Sequence, residues 1–176
     1  MEKRAWDAWK ILLDVPCSRG ELATRLGVSQ MTAGRTVNRL LQMGMVTERI
    51  EKRERGRPRR VVSLSAKWQY WIVSVDGASC EATCVRANGE ILYRIEAPLE
   101  VGMEPWDSLA NFLGRLRMTY RLIRGLAEPR AMALILHKEA VGMSSVGDEF
   151  DLVIEEDYVE IRDVCERLNR IMLLRE

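Results

Sequence analysis

A single histidine, His137, and four cysteines without one C-x-x-C pair leave this sequence short of the ligand spacings that hold zinc. Cys17, Cys80, Cys84 and Cys165 read instead as reduced structural thiols in a cytoplasmic protein. No apolar run approaches the roughly 18 residues of a membrane span, and the polar N-terminal stretch does not have the pattern of a signal peptide. A membrane partner is therefore not expected, and neither is a metal or other cofactor. Net charge is scarce as well: 27 Lys and Arg nearly balance 26 Asp and Glu.

The balance hides a segregation. Residues 1–65 hold 14 Lys and Arg against 7 Asp and Glu, a net of +7, whereas residues 66–176 carry a net of −6. A basic front and an acidic back predict two modules with different partners. The expected class is α+β in two domains, with boundaries at 1–66 and 67–176.

Three helical patterns fill the first module. Trp6, Trp9, Leu12 and Leu13 recur at helical spacing over roughly Arg4 to Asp14, and Pro16 closes that helix. Ser18 with Glu21 three residues on forms a capping box for a second helix, whose inner face is Leu22, Ala23 and Leu26. Gly27-Val28-Ser29 makes a short turn, and Ser29 caps a third helix that runs from Gln30 to about Met43. On this helix Ala33, Val37, Leu40, Leu41 and Gly44 face inward. Met31, Gly34, Arg35, Asn38 and Gln42 face outward, flanked by Gln30, Thr32 and Arg39. The outer face is polar, basic and free of carboxylates, as a helix laid in a major groove needs to be.

Two β-branched runs follow, Met45 to Ile50 and Val61 to Leu64, on either side of a Gly-Arg-Pro loop. They predict a hairpin whose tip gathers Arg55, Arg57, Arg59 and Arg60, placed to enter a minor groove or touch phosphates. A disordered basic linker is the alternative for this stretch. The expected DNA-contacting set is Ser29, Gln30, Met31, Thr32, Arg35, Asn38 and Arg39 on the helix and those four arginines on the wing.

The second module opens with three strand patterns: Trp71 to Asp76, Glu81 to Val85 and, after an Asn88-Gly89 hairpin signal, Ile91 to Ala97. A helix is expected from Pro105 to about Arg124, strands at Ala131–Leu136 and Leu152–Glu155, and a last helix from about Asp157 to Leu174.

The run Glu21-Leu22-Ala23, Leu26-Gly27-Val28-Ser29, Thr32-Ala33, Arg35, Val37, Leu40 or Leu41, Gly44-Met45-Val46 and Gly56-Arg57-Pro58 resembles the N-terminal region of ROK-family transcriptional repressors. These are bacterial regulators of sugar uptake and metabolism. The resemblance implies a winged helix-turn-helix followed by a lobe of the actin-like, RNase H-like fold, which the order of three strands, helix, strand, helix also resembles. It implies a sequence-specific DNA-binding regulator, a repressor, with double-stranded DNA as partner and a sugar or sugar derivative as effector.

Several family features are missing. The cysteine-rich zinc motif and the Glu-x-Gly-His sugar motif have no counterpart, and His137 is followed by Lys138 and Glu139. Family kinases carry Asp-x-Gly-Gly-Thr after the first strand, whereas Asp76 is followed by Gly77-Ala78-Ser79-Cys80, and the span from Asp76 to the Asn88-Gly89 turn is about two residues short. Asp76 is thus expected to serve structure and the protein not to be an enzyme. Family members continue for another lobe or more after the first. The surface such a lobe would cover predicts a homodimer through the second module. Two other readings stand beside regulation: a degenerate sugar kinase-like enzyme, and a winged helix that docks protein instead of DNA.

Overall fold

A computed structural model describes residues 2–52, 58–100, 102–123, 126–137, 150–156 and 158–174. Among them are five helices and seven strands, in two compact units: Met1–Trp68 with Met172–Glu176, and Gln69–Ile171. No helix of the described residues is long and apolar enough to cross a membrane.

In the first unit, α1 (Glu2–Asp14), α2 (Arg19–Leu26) and α3 (Gln30–Gln42) precede an antiparallel pair, β1 (Val46–Glu51) and β2 (Arg59–Leu64). The inner face of α1 is Ala5, Ala8, Trp9 and Leu12. Trp6 and Leu13, expected inside, are only half-buried. Two alanines pointing inward let the helix approach its neighbours closely, while Trp6 turns outward beneath the Lys10 ammonium, 5.2 Å from its ring. Trp9 meets Trp68 edge to face at 6.5 Å. The chain between α1 and α2 joins the sheet at one point, because Cys17 and Val62 exchange both backbone hydrogen bonds (3.1 and 2.9 Å).

The second unit holds a five-stranded sheet in the order β5 (Ile91–Pro98), β4 (Ser79–Arg86), β3 (Gln69–Val75), β6 (Ala131–Leu136), β7 (Leu152–Ile154). Strand β4 is antiparallel to both β5 and β3, and β6 and β7 run parallel to β3. Helix α4 (Pro105–Leu122) lays Leu109, Phe112, Leu113 and Leu116 on the face formed by Trp71, Val73, Val75, Cys80, Ala82 and Cys84. Helix α5 (Ile161–Leu174) begins four residues later than its apolar pattern predicts. It contributes buried Val164, Cys165, Leu168 and Asn169. Asn169 accepts from the Tyr70 hydroxyl (2.6 Å) and donates to the Ala87 carbonyl (3.0 Å), so this buried amide is satisfied at both ends.

Candidate nucleic-acid interface

Local chemistry fixes the entry to α3. The Ser18 hydroxyl accepts from the Glu21 amide (3.2 Å) and the Glu21 carboxylate accepts from the Ser18 amide (2.7 Å), a complete capping box at the start of α2. Gly27 ends that helix at φ 63°, where its own N–H and that of Val28 return to Thr24 and Ala23 carbonyls. Ser29 then caps α3 by accepting from the Thr32 amide (3.2 Å), and the two hydroxyls lie 2.9 Å apart. At the far end Gly44, at φ 74°, turns the chain into β1.

Burial divides α3 cleanly. Ala33, Val37 and Leu40 are fully buried, which fixes the rotation of the helix about its axis. Gln30, Met31, Arg35, Asn38 and Gln42 all reach the outer side of the helix, with Met31 exposed over 68% of its surface. Thr32 and Arg39 flank them. Ser29 is exposed at the N-cap, although its hydroxyl is engaged there. The helix thus presents one continuous face of hydrogen-bonding and cationic side chains without a carboxylate to repel phosphate.

The β-strand arginines differ among themselves. Arg60 is exposed, with its guanidinium 3.9 Å from Glu48. Arg59 is half-buried between Glu21 (2.8 Å) and Glu51 (3.6 Å), so its charge is already matched within the unit. It ties β2 to the start of α2. Arg55 and Arg57 lie outside the described residues.

One contributor escapes sequence reasoning. Arg19, in the first turn of α2, makes two hydrogen bonds to the Glu48 carboxylate of β1 (2.8 and 3.2 Å), and its other terminal nitrogen lies 3.8 Å from where a Cβ on Gly34 would stand. A single guanidinium therefore spans α2, α3 and β1. At Gly34 a Cβ would make ordinary van der Waals contact with this guanidinium. Arg19 and Glu48 are 29 residues apart in sequence and have no periodic signature.

In the second unit, Asp76 folds back on its own turn. Its carboxylate accepts from the Ala78 and Ser79 amides (2.8 and 2.6 Å), and these bonds hold it below the ordinary carboxylate range. The amides that a phosphate would need at the end of β3 are thereby occupied. Beside it the Ser74 hydroxyl and His137 Nε2 are 2.9 Å apart. A small cavity of about 20 Å³ lies between α4 and the starts of β3 and β6, lined by Trp71, Leu113, Leu116, Arg117, Tyr120, Pro129 and Met132. Such a space holds about one water and is too small for a sugar.

The chain matches no protein-family model and no curated protein. Among solved structures it is similar to a crystal structure of a ROK family transcriptional regulator, a homologue of the E. coli MLC protein. The fold is ROK-like. The match has a TM-score of 0.55 at 15% identity and covers 77% of this chain but 36% of that one, so the chain spans about a third of that regulator's length. At such identity the likeness is one of fold, and what α3 and the hairpin bind must be argued from their own residues.

Proposed function

We propose that residues 1–66 form a winged helix-turn-helix that binds duplex DNA, and that the protein is a sequence-specific transcriptional regulator, a repressor. One observation carries this reading: the exposed face of α3 is polar and basic, contains no carboxylate, and is held in a fixed rotation by Ala33, Val37 and Leu40. Arg35 and Asn38, with Gln30, Met31 and Thr32, would meet base edges. Ser29, Arg39 and Arg60 would meet phosphates, with the wing arginines Arg55 and Arg57 alongside. Arg59 has a different task, holding the hairpin against α2. The second module, 67–176, would supply dimerisation and, through an effector not yet defined, sensing. A homodimer suits the task because two recognition helices must reach major-groove faces roughly 34 Å apart.

Selection from a random duplex pool, followed by fluorescence anisotropy, tests the proposal. The expected result is a palindromic site bound in a salt-dependent way, with Arg35→Ala losing about 1–3 kcal/mol and discrimination at one position. Absence of any retained duplex, or an unchanged affinity for Arg35→Ala, would refute it. Salt-insensitive binding would favour a winged helix that docks protein.

A further inference from the structure

The Arg19 guanidinium is tied along one edge only. Its Nε and Nη2 donate side by side to the two carboxylate oxygens of Glu48, at 2.8 and 3.2 Å. Among the described residues nothing accepts from its Nη1. The buried side-chain nitrogens left without a partner there are those of Trp9, Trp71 and Arg86, so Nη1 of Arg19 reaches solvent.

This open nitrogen lies on the flank of α3. It is 3.8 Å from the place of a Cβ on Gly34, and Gly34 is half-buried while Arg35 and Asn38 are exposed. Gly34 therefore stands beside the crest of the helix and not on it. A helix laid in a major groove turns its crest to base edges and its flanks to the phosphates that border the groove. Glycine in the middle of a 13-residue helix also costs stability relative to alanine. A Cβ would fit in ordinary contact, so packing within the unit does not call for glycine. What the missing side chain leaves clear is the space over Nη1.

Charge favours an anion at this place. Glu48 is only 15% exposed, and the guanidiniums of Arg19 and Arg60 (3.9 Å) both lie against it. Two guanidiniums on one carboxylate leave a surplus of one positive charge beside α3. The fork to Glu48 also holds the Arg19 side chain still before any ligand arrives, so a contact at Nη1 loses less rotamer entropy on forming.

We infer that Arg19 Nη1 donates to one DNA phosphate on the flank of the groove that receives α3, and that Glu48 is the residue that positions it. The inference rests on the DNA-binding reading of α3 and adds to it a residue of α2. Because the partner is backbone, the contact strengthens binding without choosing a sequence.

Fluorescence anisotropy of the full chain on a duplex selected from a random pool, at roughly 0.05 to 0.2 M salt, reads the contact. Arg19→Met should weaken selected and scrambled duplexes alike, roughly five-fold, and lower the slope of log affinity against log salt by about one. Glu48→Gln loosens the same fork but keeps the cation, so it should retain the wild-type slope. Methylphosphonate placed at successive positions neutralises one phosphate at a time. One such position should weaken the wild type and leave Arg19→Met unchanged. Circular dichroism checks both folds, and Arg19→Gln, which can still donate to Glu48, replaces methionine if that variant unfolds. An unchanged slope, a loss confined to one base pair, or no methylphosphonate position silent in the variant would overturn the inference. If Arg35→Ala still loses discrimination in that case, DNA binding by α3 stands; if the wild type retains no duplex, both readings fall.

Discussion

Replacing Arg19 by methionine keeps most of its aliphatic length and removes its charge. The side chain is 32% exposed and Glu48 is 15% exposed, so the pair lies between the solvent-washed and the buried cases. Exposed pairs contribute about 0.2–1 kcal/mol, whereas stranding one member of a buried pair costs about 3–5 kcal/mol. Glu48 would keep the distant Arg60 guanidinium at 3.9 Å and some water, so Arg19→Met should cost about 2 kcal/mol. Glu48→Gln should cost less, because no charge is left unmatched in a dry place. In the double variant the two losses should overlap by about 1–2 kcal/mol. Native-state amide exchange at Val37 and Leu40 of α3 reads the opening of the first unit by itself, free of whatever the second unit does. A coupling below about 0.5 kcal/mol would refute the view that this guanidinium joins α2, α3 and β1.

Gly27→Ala should lower stability by about 1–2 kcal/mol in thermal or urea unfolding, since φ 63° strains any Cβ there although space is open. Gly20→Ala, inside α2 with only a 4.0 Å contact to Gln30, should raise it by about 0.5–1 kcal/mol. The Glu21 carboxyl is held below its ordinary value of 4.5, chiefly by the Ser18 amide and hydroxyl and then by Arg59. The stability it contributes is present above that value and lost as pH falls through the folded one, so Glu21→Gln should flatten the acid limb of a pH–stability curve. Burial pushes Cys80 and Cys84 up to about 11 and Cys165 to about 12, and raises Cys17. A thiol reagent at about pH 8 should therefore react slowly with the native chain and fast with all four cysteines in denaturant.

Local chemistry makes much of this molecule legible in its sequence. The capping box at Ser18 and Glu21, the Gly27 turn and the Ser29 cap depend on residues within four positions of one another, so their bonds appear where the pattern puts them. The buried Ala33, Val37 and Leu40 of α3 follow from helical periodicity alone, β6 at Ala131–Leu136 from its short apolar run, and the turn at Asn88-Gly89 from that dipeptide. Hydrophobicity alone is a poorer guide to which face of a helix is buried. On α1 it points the bulky Trp6 inward, but close packing selects Ala5 and Ala8.

Tertiary structure decided which charged side chains are spoken for and which surfaces stay open. Arg59 and Arg60 are neighbours in a basic run, yet opposite faces of β2 give one to Glu21 and leave the other in solvent. Arg19 reads as an ordinary helix arginine until β1 brings Glu48 to it across 29 residues. Gly114 and Leu122 look like part of an amphipathic helix until the sheet takes only the Leu109–Leu116 side. Sequence by itself determines what lies within a few residues, because local backbone geometry is the same in every fold. Pairing and exposure depend on contacts between distant segments, and those exist only once the chain has packed.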